Sequence, residues 1–326
     1  MAAGGEFELI RRFFKRRTDD ASVVLGVGDD AALVRVDEGN ELVLAVDMMV
    51  EDRHFLPGSD PEALGHKLLA VNLSDLAAMG ARPRWALLAG ALPDNDPAWL
   101  EAFARGLFAL ADVHGVALVG GDTTRGPRNL CITIAGEVPH GQAIRRSGAT
   151  AGDDVWVSGT LGDAALALAV LQRRSTLPAA ELAAVRARLD RPTPRVALGQ
   201  ALRGMATAMI DVSDGLCGDL QHVLDASGVG ARIDLRSIPH APALGVKAAG
   251  VECDLALACL LAGGDDYELC FTAAPAMQDR LAALGERVGV ALTRIGSITA
   301  DASKLTVVDE SGVALQTLPR AFDHFG

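Results

Sequence analysis

Lysine is scarce in this chain of 326 residues, and the few lysines present exclude the common phosphate-binding loops. They are Lys15, Lys67, Lys247 and Lys304, and none of them closes a glycine-rich turn. A Walker-type loop places its lysine directly after such a turn, so the sequence contains no loop of that kind. The glycine loop and the His-Arg-Asp segment of protein kinases are absent as well. A nucleotide would therefore have to be held by another device.

Basic charge as a whole is in deficit. Lysine and arginine number 30 against 42 acidic residues, and the net charge is −12. Because binding to a nucleic-acid backbone requires a basic face, no nucleic-acid partner is expected. The acidity is compatible with nucleotide binding, since Mg²⁺ bridges carboxylates and phosphates. Hydrophobic residues make up 50% of the chain, so a chain of this length can bury the cores of two domains.

Disulfides and membrane spans are not expected either. The cysteines are odd in number and include no C-x-x-C pair: Cys131, Cys217, Cys253, Cys259 and Cys270. This usage predicts reduced core thiols in a cytoplasmic protein, with a nucleophilic role for Cys217 as the alternative at that one position. The longest apolar stretches, around 164–171 and 255–262, are too short to cross a bilayer.

The N-terminal segment lacks the uninterrupted apolar region of a secretory signal. Phe7, Ile10 and Phe14 recur at helical spacing, which predicts an amphipathic helix packed against the body. Binding to a membrane surface, or a role as a transit peptide, is the alternative interpretation.

Apolar periodicity predicts a mixed α/β (α+β) fold of two domains. The first domain, 1–138, has predicted strands at 23–27, 42–46, 85–91, 116–119 and 130–135, and predicted helices at 61–79 and 97–114. Residues 139–149 are rich in turn formers and are predicted to be a linker. The second domain, 150–326, has predicted strands at 154–158, 208–212, 231–235, 293–298 and 305–308, and predicted helices at 164–173, 182–189, 195–204, 216–226 and 275–288.

Six short aspartate motifs stand among glycines and apolar residues, where a buried strand meets a loop. They are Gly-Val-Gly-Asp-Asp (26–30), Leu-Ala-Val-Asp (44–47), Asn-Leu-Ser-Asp (72–75), Gly-Gly-Asp-Thr-Thr (120–124), Ile-Asp-Val-Ser-Asp-Gly (210–215) and Gly-Gly-Asp-Asp-Tyr (263–267). Two unit charges about 4 Å apart repel by about 4 kcal/mol at an effective dielectric of about 20. Carboxylates gathered in one cleft therefore need cations, and the motifs together predict a site for hard metal ions and phosphate.

Each motif alone also has a structural interpretation. Asp29 and Asp30 can form a turn with a helix cap. Asp47 is interpreted as the end of a strand, which favours a ligand role, whereas Asp75 lies in a helical pattern and meets either water or a cation. Arg146, with the arginine before it, is either a solvated basic residue or a guanidinium on a phosphate.

Glycine-rich segments surround three of the motifs. The glycines before Asp122 would let main-chain N–H groups approach a phosphate. The segment from Asp211 to Asp214 offers two carboxylates with a hydroxyl between them. After Gly263 and Gly264, three further acidic residues are candidate oxygen donors: Asp265, Asp266 and Glu268.

The ordered set of motifs resembles the thiamine-monophosphate kinases, of the aminoimidazole ribonucleotide synthetase superfamily. Besides the aspartate motifs, the resemblance includes Val-Asp followed by His54-Phe55, Lys67-Leu-Leu-Ala-Val-Asn-Leu-Ser-Asp-Leu-Ala-Ala-Met-Gly, and the terminal Phe322-Asp323-His324-Phe325. It runs from about residue 5 to the C-terminus. It implies two α/β domains with a site between them, a homodimer formed through the N-terminal sheet, and ATP-dependent conversion of thiamine phosphate to thiamine diphosphate with several Mg²⁺ ions.

The resemblance also implies roles for individual residues. The implied metal ligands are Asp30, Val46, Asp47, Asp75, Asp122, Asp211 and Asp214. The implied ATP contacts are Gly121, Asp122, Arg146 and Ser213. The implied contacts to thiamine phosphate are His54, Asp265 and Phe322. No general base is expected, because a phosphomonoester acceptor is largely dianionic at pH 7.

Three positions depart from the family pattern. Ala45 and Val46 replace hydroxyl residues before Asp47, so a main-chain carbonyl or water would have to take their place at a metal. Asp265 is one methylene shorter than the usual glutamate, and Phe322 lacks the polar tip of the usual tyrosine or tryptophan. The alternatives to this kinase are another ATP-dependent member of the superfamily acting on a different acceptor, a hydrolytic metallophosphatase, and a non-enzymatic metal- or nucleotide-binding module.

Overall fold

The computed structural model describes residues 6–16, 18–245 and 253–320. Phe322 and the terminal Phe-Asp-His-Phe segment lie outside these residues. The chain divides into two compact units, one of Met1–Leu76 with Ala81–Gly141 and one of Ala77–Gly80 with Gln142–Gly326. Among the described residues, no helix combines the length and apolar character that crossing a bilayer requires.

The first unit places helices on one side of a mixed sheet. Its elements are α1 (Glu6–Leu9), β1 (Val23–Leu25), β2 (Leu33–Val34), β3 (Asn40–Val50), α2 (Pro61–Ala78), β4 (Arg82–Leu92), α3 (Pro97–His114), β5 (Ala117–Arg125) and β6 (Asn129–Pro139). Within the described residues, the sheet has the order β3-β6-β4-β5, and β1 pairs with β2 in a separate hairpin. In this sheet β4 and β5 pair in parallel, whereas β6 pairs antiparallel with both β3 and β4.

The N-terminal helix is confirmed, although it is irregular. After α1 the chain continues as a π-helical turn, Ile10–Phe14. Leu9 and Phe14 are buried, and the Phe14 ring packs edge-on against Phe103 of α3 with centroids 6.4 Å apart. The apolar side of the segment therefore faces the body of the first unit.

Helices α2 and α3 approach each other closely because glycines stand where they cross. A Cβ atom on Gly65 would lie 2.1 Å from the Phe103 carbonyl oxygen, and one on Gly106 would lie 1.8 Å from that of Glu62. Local signals set the bounds of α3: Asp96 accepts a hydrogen bond from the Ala98 N–H, Pro97 opens the helix, and Gly115 ends it with a φ of 65°. These contacts hold both helices over the sheet.

The second unit is an α+β layer around a larger sheet. Its elements are β7 (Asp154–Ser158), α4 (Asp163–Leu171), α5 (Ala179–Asp190), α6 (Val196–Ala201), β8 (Ala208–Val212), α7 (Leu216–Ser227), β9 (Gly230–Asp234), α8 (Cys253–Ala262), β10 (Glu268–Ala273), α9 (Gln278–Val288), β11 (Leu292–Thr299) and β12 (Leu305–Val308). The described strands follow the order β12-β9-β11-β7-β10-β8, with β12 and β9 parallel and the other pairs antiparallel.

The predicted mixed fold class is confirmed, with corrections to individual elements. The strand predictions 154–158, 208–212 and 305–308 match the observed bounds. Strand β2, helix α8 and strand β10 were not predicted, and the helix predicted at 275–288 begins with a 3₁₀ turn, Pro275–Met277. The sequence interpretation treats Asp265, Asp266 and Glu268 as oxygen donors and does not show that a buried strand begins at Glu268.

The cysteine prediction is confirmed for the described residues. Cys131, Cys217, Cys259 and Cys270 are free, and all but Cys131 are buried. Burial raises the pKa of the Cys217 thiol to about 12, so this side chain is protonated at neutral pH. The geometry therefore favours a packing role for Cys217 over a nucleophilic one.

Candidate functional site

In the first unit, helix α2 brings one aspartate motif next to another. The Asp47 N–H donates a 3.0 Å hydrogen bond to the side-chain oxygen of Asn72, and the Asn72 amide donates to the Leu68 carbonyl at 2.9 Å. Asn72 is fully buried, and Asp75, one turn further along α2, is half-buried. Since residues three apart share a helix face, Asp75 lies on the side of α2 that meets β3.

The prediction that Asp47 ends a strand was wrong. Strand β3 runs from Asn40 to Val50, and Asp47 lies inside it, opposite Ile132 of β6. The strand is at the edge of the sheet, where its main chain can be reached by Asn72 from α2. The pKa of the Cys131 thiol is raised, chiefly by burial and in addition by the nearby charge of Asp47.

The glycine segment before Asp122 is a strand and not the predicted loop. Strand β5 continues to Arg125, and Leu88 to Leu92 of β4 pair with Gly121 to Arg125. Gly121 has a φ of 148°, and a Cβ atom there would lie 1.8 Å from the Leu88 carbonyl oxygen. Glycine is therefore required at position 121 for the close pairing of β5 with β4. Asp122 itself is exposed.

His54 folds back on the end of β3. Its ring Nδ1 accepts a 3.0 Å hydrogen bond from the Val50 N–H, and the main-chain N–H of His54 donates to the Val50 carbonyl. A ring nitrogen that accepts carries no proton, so a neutral His54 has its proton on Nε2. This orientation suits a hydrogen-bond donor to a phosphate better than a base.

Asp30 and Arg146 occupy exposed positions. The Asp30 N–H donates to the Asp29 carboxylate at 2.9 Å in the segment between β1 and β2, which is the predicted turn. Arg146 lies after β6 in the predicted linker, where its carbonyl accepts a hydrogen bond from Ser227. Both side chains are therefore exposed at the surface and belong to no hydrophobic core.

In the second unit, main-chain hydrogen bonds join the 210–215 motif to the 263–267 motif. The Asp265 N–H donates to the Ser213 carbonyl, and the Tyr267 N–H donates to the Val212 carbonyl, both at 2.9 Å. Asp265 and Tyr267 have left-handed φ values of 70° and 50°, and the Tyr267 hydroxyl donates to the Asp265 carboxylate at 3.0 Å. Non-glycine residues in this conformation cost of order 1 kcal/mol each and cluster at ligand sites.

The left-handed backbone gives a physical reason for the short side chain at 265. Aspartate tolerates a positive φ better than glutamate does, because its carboxylate bonds locally. Asp265 in this chain therefore fits its own loop, although the family pattern has glutamate.

Asp219, which the sequence interpretation missed, organises the Asp211–Gly215 segment. One oxygen of its buried carboxylate accepts the N–H groups of Ser213, Asp214 and Gly215 at 2.9, 3.0 and 3.1 Å. Burial, together with the nearby charges of Asp211 and Asp214, raises the pKa of Asp219 to about 7. The signal in the sequence was its place in the first turn of α7, directly after the motif.

Asp266 and Glu268, the other two candidate oxygen donors of this motif, are buried in the second unit. Glu268 is fully buried and accepts hydrogen bonds from Ser158, Arg188 and Arg195. Asp266 is buried, accepts the Gly162 N–H at 2.7 Å, and has its pKa raised well above the usual value, chiefly by that burial. Both residues fix the strand and loop from which Asp265 projects.

The described residues contain no group of three or more His, Cys, Asp or Glu placed to hold a metal ion. The donors nevertheless fit Mg²⁺, which usually takes one or two carboxylates and completes its octahedron with waters and substrate phosphates. The donor set consists of carboxylate oxygens, and the repulsion that Asp219 experiences from Asp211 and Asp214 is of the kind that a cation relieves.

Comparison with known proteins assigns both halves of the chain to one protein family. The family model described as "AIR synthase related protein, N-terminal domain" matches residues 28–138, and the model described as "AIR synthase related protein, C-terminal domain" matches residues 150–308. The thiamine-monophosphate kinase of Escherichia coli (strain K12) is 47% identical over 327 residues, which cover 99% of each chain. The similarity predicted from the motifs is confirmed.

Solved structures agree. The thiamine-monophosphate kinase from Stenotrophomonas maltophilia K279a superimposes with a TM-score of 0.86 at 49% identity, covering 95% of this chain and 98% of that one. A structure of AaThiL complexed with AMPPCP and TMP superimposes with a TM-score of 0.76 at 29% identity, covering 89% of each chain.

Proposed function

We infer the function from one premise: the chain belongs to the AIR synthase related family and, within it, to the thiamine-monophosphate kinases. It transfers a phosphoryl group from ATP to thiamine phosphate and forms thiamine diphosphate. The observation that carries this conclusion is 47% identity to the Escherichia coli kinase over 99% of both chains. The AaThiL complex with an ATP analogue and TMP supports the same pair of substrates.

The residue assignments remain our proposal. We assign Mg²⁺ to Asp30, Asp47, Asp75, Asp122, Asp211 and Asp214, with Val46 contributing through its main chain because its side chain is apolar. ATP is assigned to Gly121, Asp122, Arg146 and Ser213. Thiamine phosphate is assigned to His54, Asp265 and Phe322. The domain division 1–138, 139–149 and 150–326 and a cytoplasmic location belong to the same proposal.

The residues of this chain act by positioning, without proton chemistry. The acceptor phosphate is largely dianionic at pH 7, so its oxygen attacks without a base. The difficulty is repulsion between acceptor and ATP, and bound Mg²⁺ supplies the charge that offsets it. His54 donates from Nε2, Tyr267 fixes the orientation of Asp265, and Arg146 adds positive charge on the protein side.

Turnover with defined acceptors tests the function. Purified protein with Mg²⁺ and ATP is expected to form ADP and thiamine diphosphate with thiamine phosphate, and little ADP with thiamine or no acceptor. Coupled ADP detection and chromatography of the thiamine products measure this. Turnover with thiamine but not its phosphate would exclude the proposal. Phosphate release without an acceptor would favour a hydrolase, and tight MgATP binding without turnover would favour a binding module.

A homodimer is proposed from one face of the edge strand β3. Its alternate side chains are apolar and exposed, with relative exposures of 46% for Leu42, 63% for Leu44, 59% for Val46 and 50% for Met48. A contiguous row of this kind at a sheet edge indicates an association surface. The row continues over β6, where Ala135, Thr133 and Cys131 pair with these positions.

Replacing Leu44 by glutamate should weaken this association. Each copy would bring a charge into an apolar contact, so light scattering after size exclusion is expected to shift from twice the 33.8 kDa chain mass toward one chain mass. The matched control is Val113→Glu, since Val113 is 75% exposed on α3, outside the row. A wild-type protein that is monomeric at micromolar concentration would contradict the proposal.

A further inference from the structure

The hairpin of β1 and β2 carries the Gly26–Asp30 motif but has little internal support. Its strands have three and two residues, and their register shifts between Val23 and Leu25. Much of its surface is exposed, including Val24 at 50% and Leu33 at 55%. A two-stranded hairpin is at best marginally stable in water. The position of Asp30 at its tip must therefore be fixed by contacts with the rest of the unit.

A buried arginine of β4 binds both feet of this hairpin, which are the chain segments directly before β1 and directly after β2. Arg84 is 4% exposed, and its Nη2 donates to Asp20, ahead of β1, at 3.3 Å. Its Nη1 donates to Asp37, after β2, at 3.0 Å and to the buried Glu137 of β6 at 2.9 Å. The two carboxylates that flank the hairpin thus meet on one guanidinium.

Further hydrogen bonds connect the feet to this arginine. Asp20 accepts the N–H and the hydroxyl of Ser22 at 2.9 and 2.7 Å, and the Trp85 indole donates to the same hydroxyl at 3.1 Å. Glu137 accepts the Asp37 N–H at 2.9 Å. The Arg35 N–H closes the base of the hairpin by donating to the Ser22 carbonyl at 2.8 Å.

The geometry requires the fork of a guanidinium. Two nitrogens reach three carboxylates in different directions, and the Arg84 guanidinium also lies 5.1 Å from the centre of the Trp85 ring. A lysine would keep the charge but could not reproduce this planar, divergent set of donors. Arg82, on the same strand, provides the contrast, because its side chain is 61% exposed and only 4.0 Å from Asp37.

We propose that Arg84 is a positioning residue that clamps both feet of the β1–β2 hairpin and so fixes Asp30 for Mg²⁺. The inference rests on the proposed function for the role of Asp30, whereas the clamp itself rests on the contacts of Arg84. Ligands placed by supporting hydrogen bonds bind metal better than loosely held ones, and loss of such support typically costs about 10- to 100-fold in affinity or activity.

Hydrogen exchange on Arg84→Lys, with Arg82→Lys as the control, tests the clamp. In Arg84→Lys, amides of residues 23–35 are expected to exchange about tenfold faster, as loss of a charged hydrogen bond predicts, while α2 and α3 are unchanged. The Mg²⁺ concentration for half-maximal kinase activity should rise about tenfold, with KM for thiamine phosphate within about twofold. Arg82→Lys should match the wild type in both measurements.

Several outcomes would overturn the inference. Unchanged exchange in the hairpin, or faster exchange spread over the whole unit, would remove the clamp. A loosened hairpin with an unaltered Mg²⁺ requirement would remove the link to Asp30. If Arg84→Lys does not fold, Asp37→Asn loosens one foot at a half-exposed carboxylate and must show the same local exchange. A wild-type protein without kinase activity would refute the proposed function, and the exchange data would still decide the clamp.

Discussion

Asp122→Asn is expected to lower kcat/KM for the kinase reaction by about 10²- to 10³-fold, the range seen when one group that stabilises transition-state charge is removed. The amide keeps the size of the side chain and loses its charge, so it is a poor ligand for a hard cation. Initial rates at several Mg²⁺ concentrations measure the effect, and more Mg²⁺ should restore part of the activity.

The exposure of Asp122 separates function from stability in this test. Because Asp122 is exposed on β5, its substitution should change stability by no more than about 0.5 kcal/mol. Asp211 is 5% exposed and would not allow this separation. Asp94→Asn is the matched control, since Asp94 is exposed in the same unit and its amide could still accept the Asp96 N–H. Near-normal activity of Asp122→Asn would remove this residue from the proposed metal set.

The regular elements could be predicted from sequence because burial dictates their composition. Strand Ala208–Val212 is apolar except for Asp211, its fourth residue, and every residue in it is buried. In α3, Leu100, Phe103, Leu107 and Leu110 recur at helical spacing, and all four are buried. A local pattern suffices when the pattern and the burial have the same period.

The failures share one physical cause, which is a partner distant in the chain. The Gly120–Gly121 pair looks like a loop in sequence, and only the Leu88 carbonyl beside it shows why a strand needs glycine there. Glu268 looks like a ligand because its partners, Arg188 and Arg195, lie 80 and 73 residues away. Acidic residues in an apolar setting signal a cation, but the sequence does not say whether that cation is a metal or an arginine.

The candidate site was predictable as a set of motifs and not as a geometry. The order of the motifs identified the family, whereas the three N–H groups on Asp219 and the Tyr267–Asp265 hydrogen bond depend on folding. These contacts fix the direction of side chains whose identity the sequence already contained. Supporting residues of this kind are invisible until the loops they hold are brought together.

Glu268→Gln is expected to destabilise the second unit by about 3–5 kcal/mol, the usual cost of breaking a buried ion pair on one side. The buried carboxylate accepts from two arginines and Ser158, and the amide would leave two guanidinium groups facing a side chain that also donates. The midpoint of thermal unfolding should fall by on the order of 10 °C. Calorimetry and circular dichroism measure this, with Glu286→Gln, at an exposed position on α9, as the control.

The same substitution should also weaken the binding of thiamine phosphate, because Glu268 belongs to β10. Glu268 is the first residue of that strand and follows Tyr267, so its ion pairs fix the end of the loop that carries Asp265. KM for thiamine phosphate is therefore expected to rise more than KM for MgATP at temperatures where Glu268→Gln is folded. A loss of stability below about 1 kcal/mol would show that the network behaves like a solvated surface pair. In that case, the main-chain bonds of Asp265 and Tyr267 to Ser213 and Val212 would contribute more to their strained conformations than the Glu268 ion pairs do.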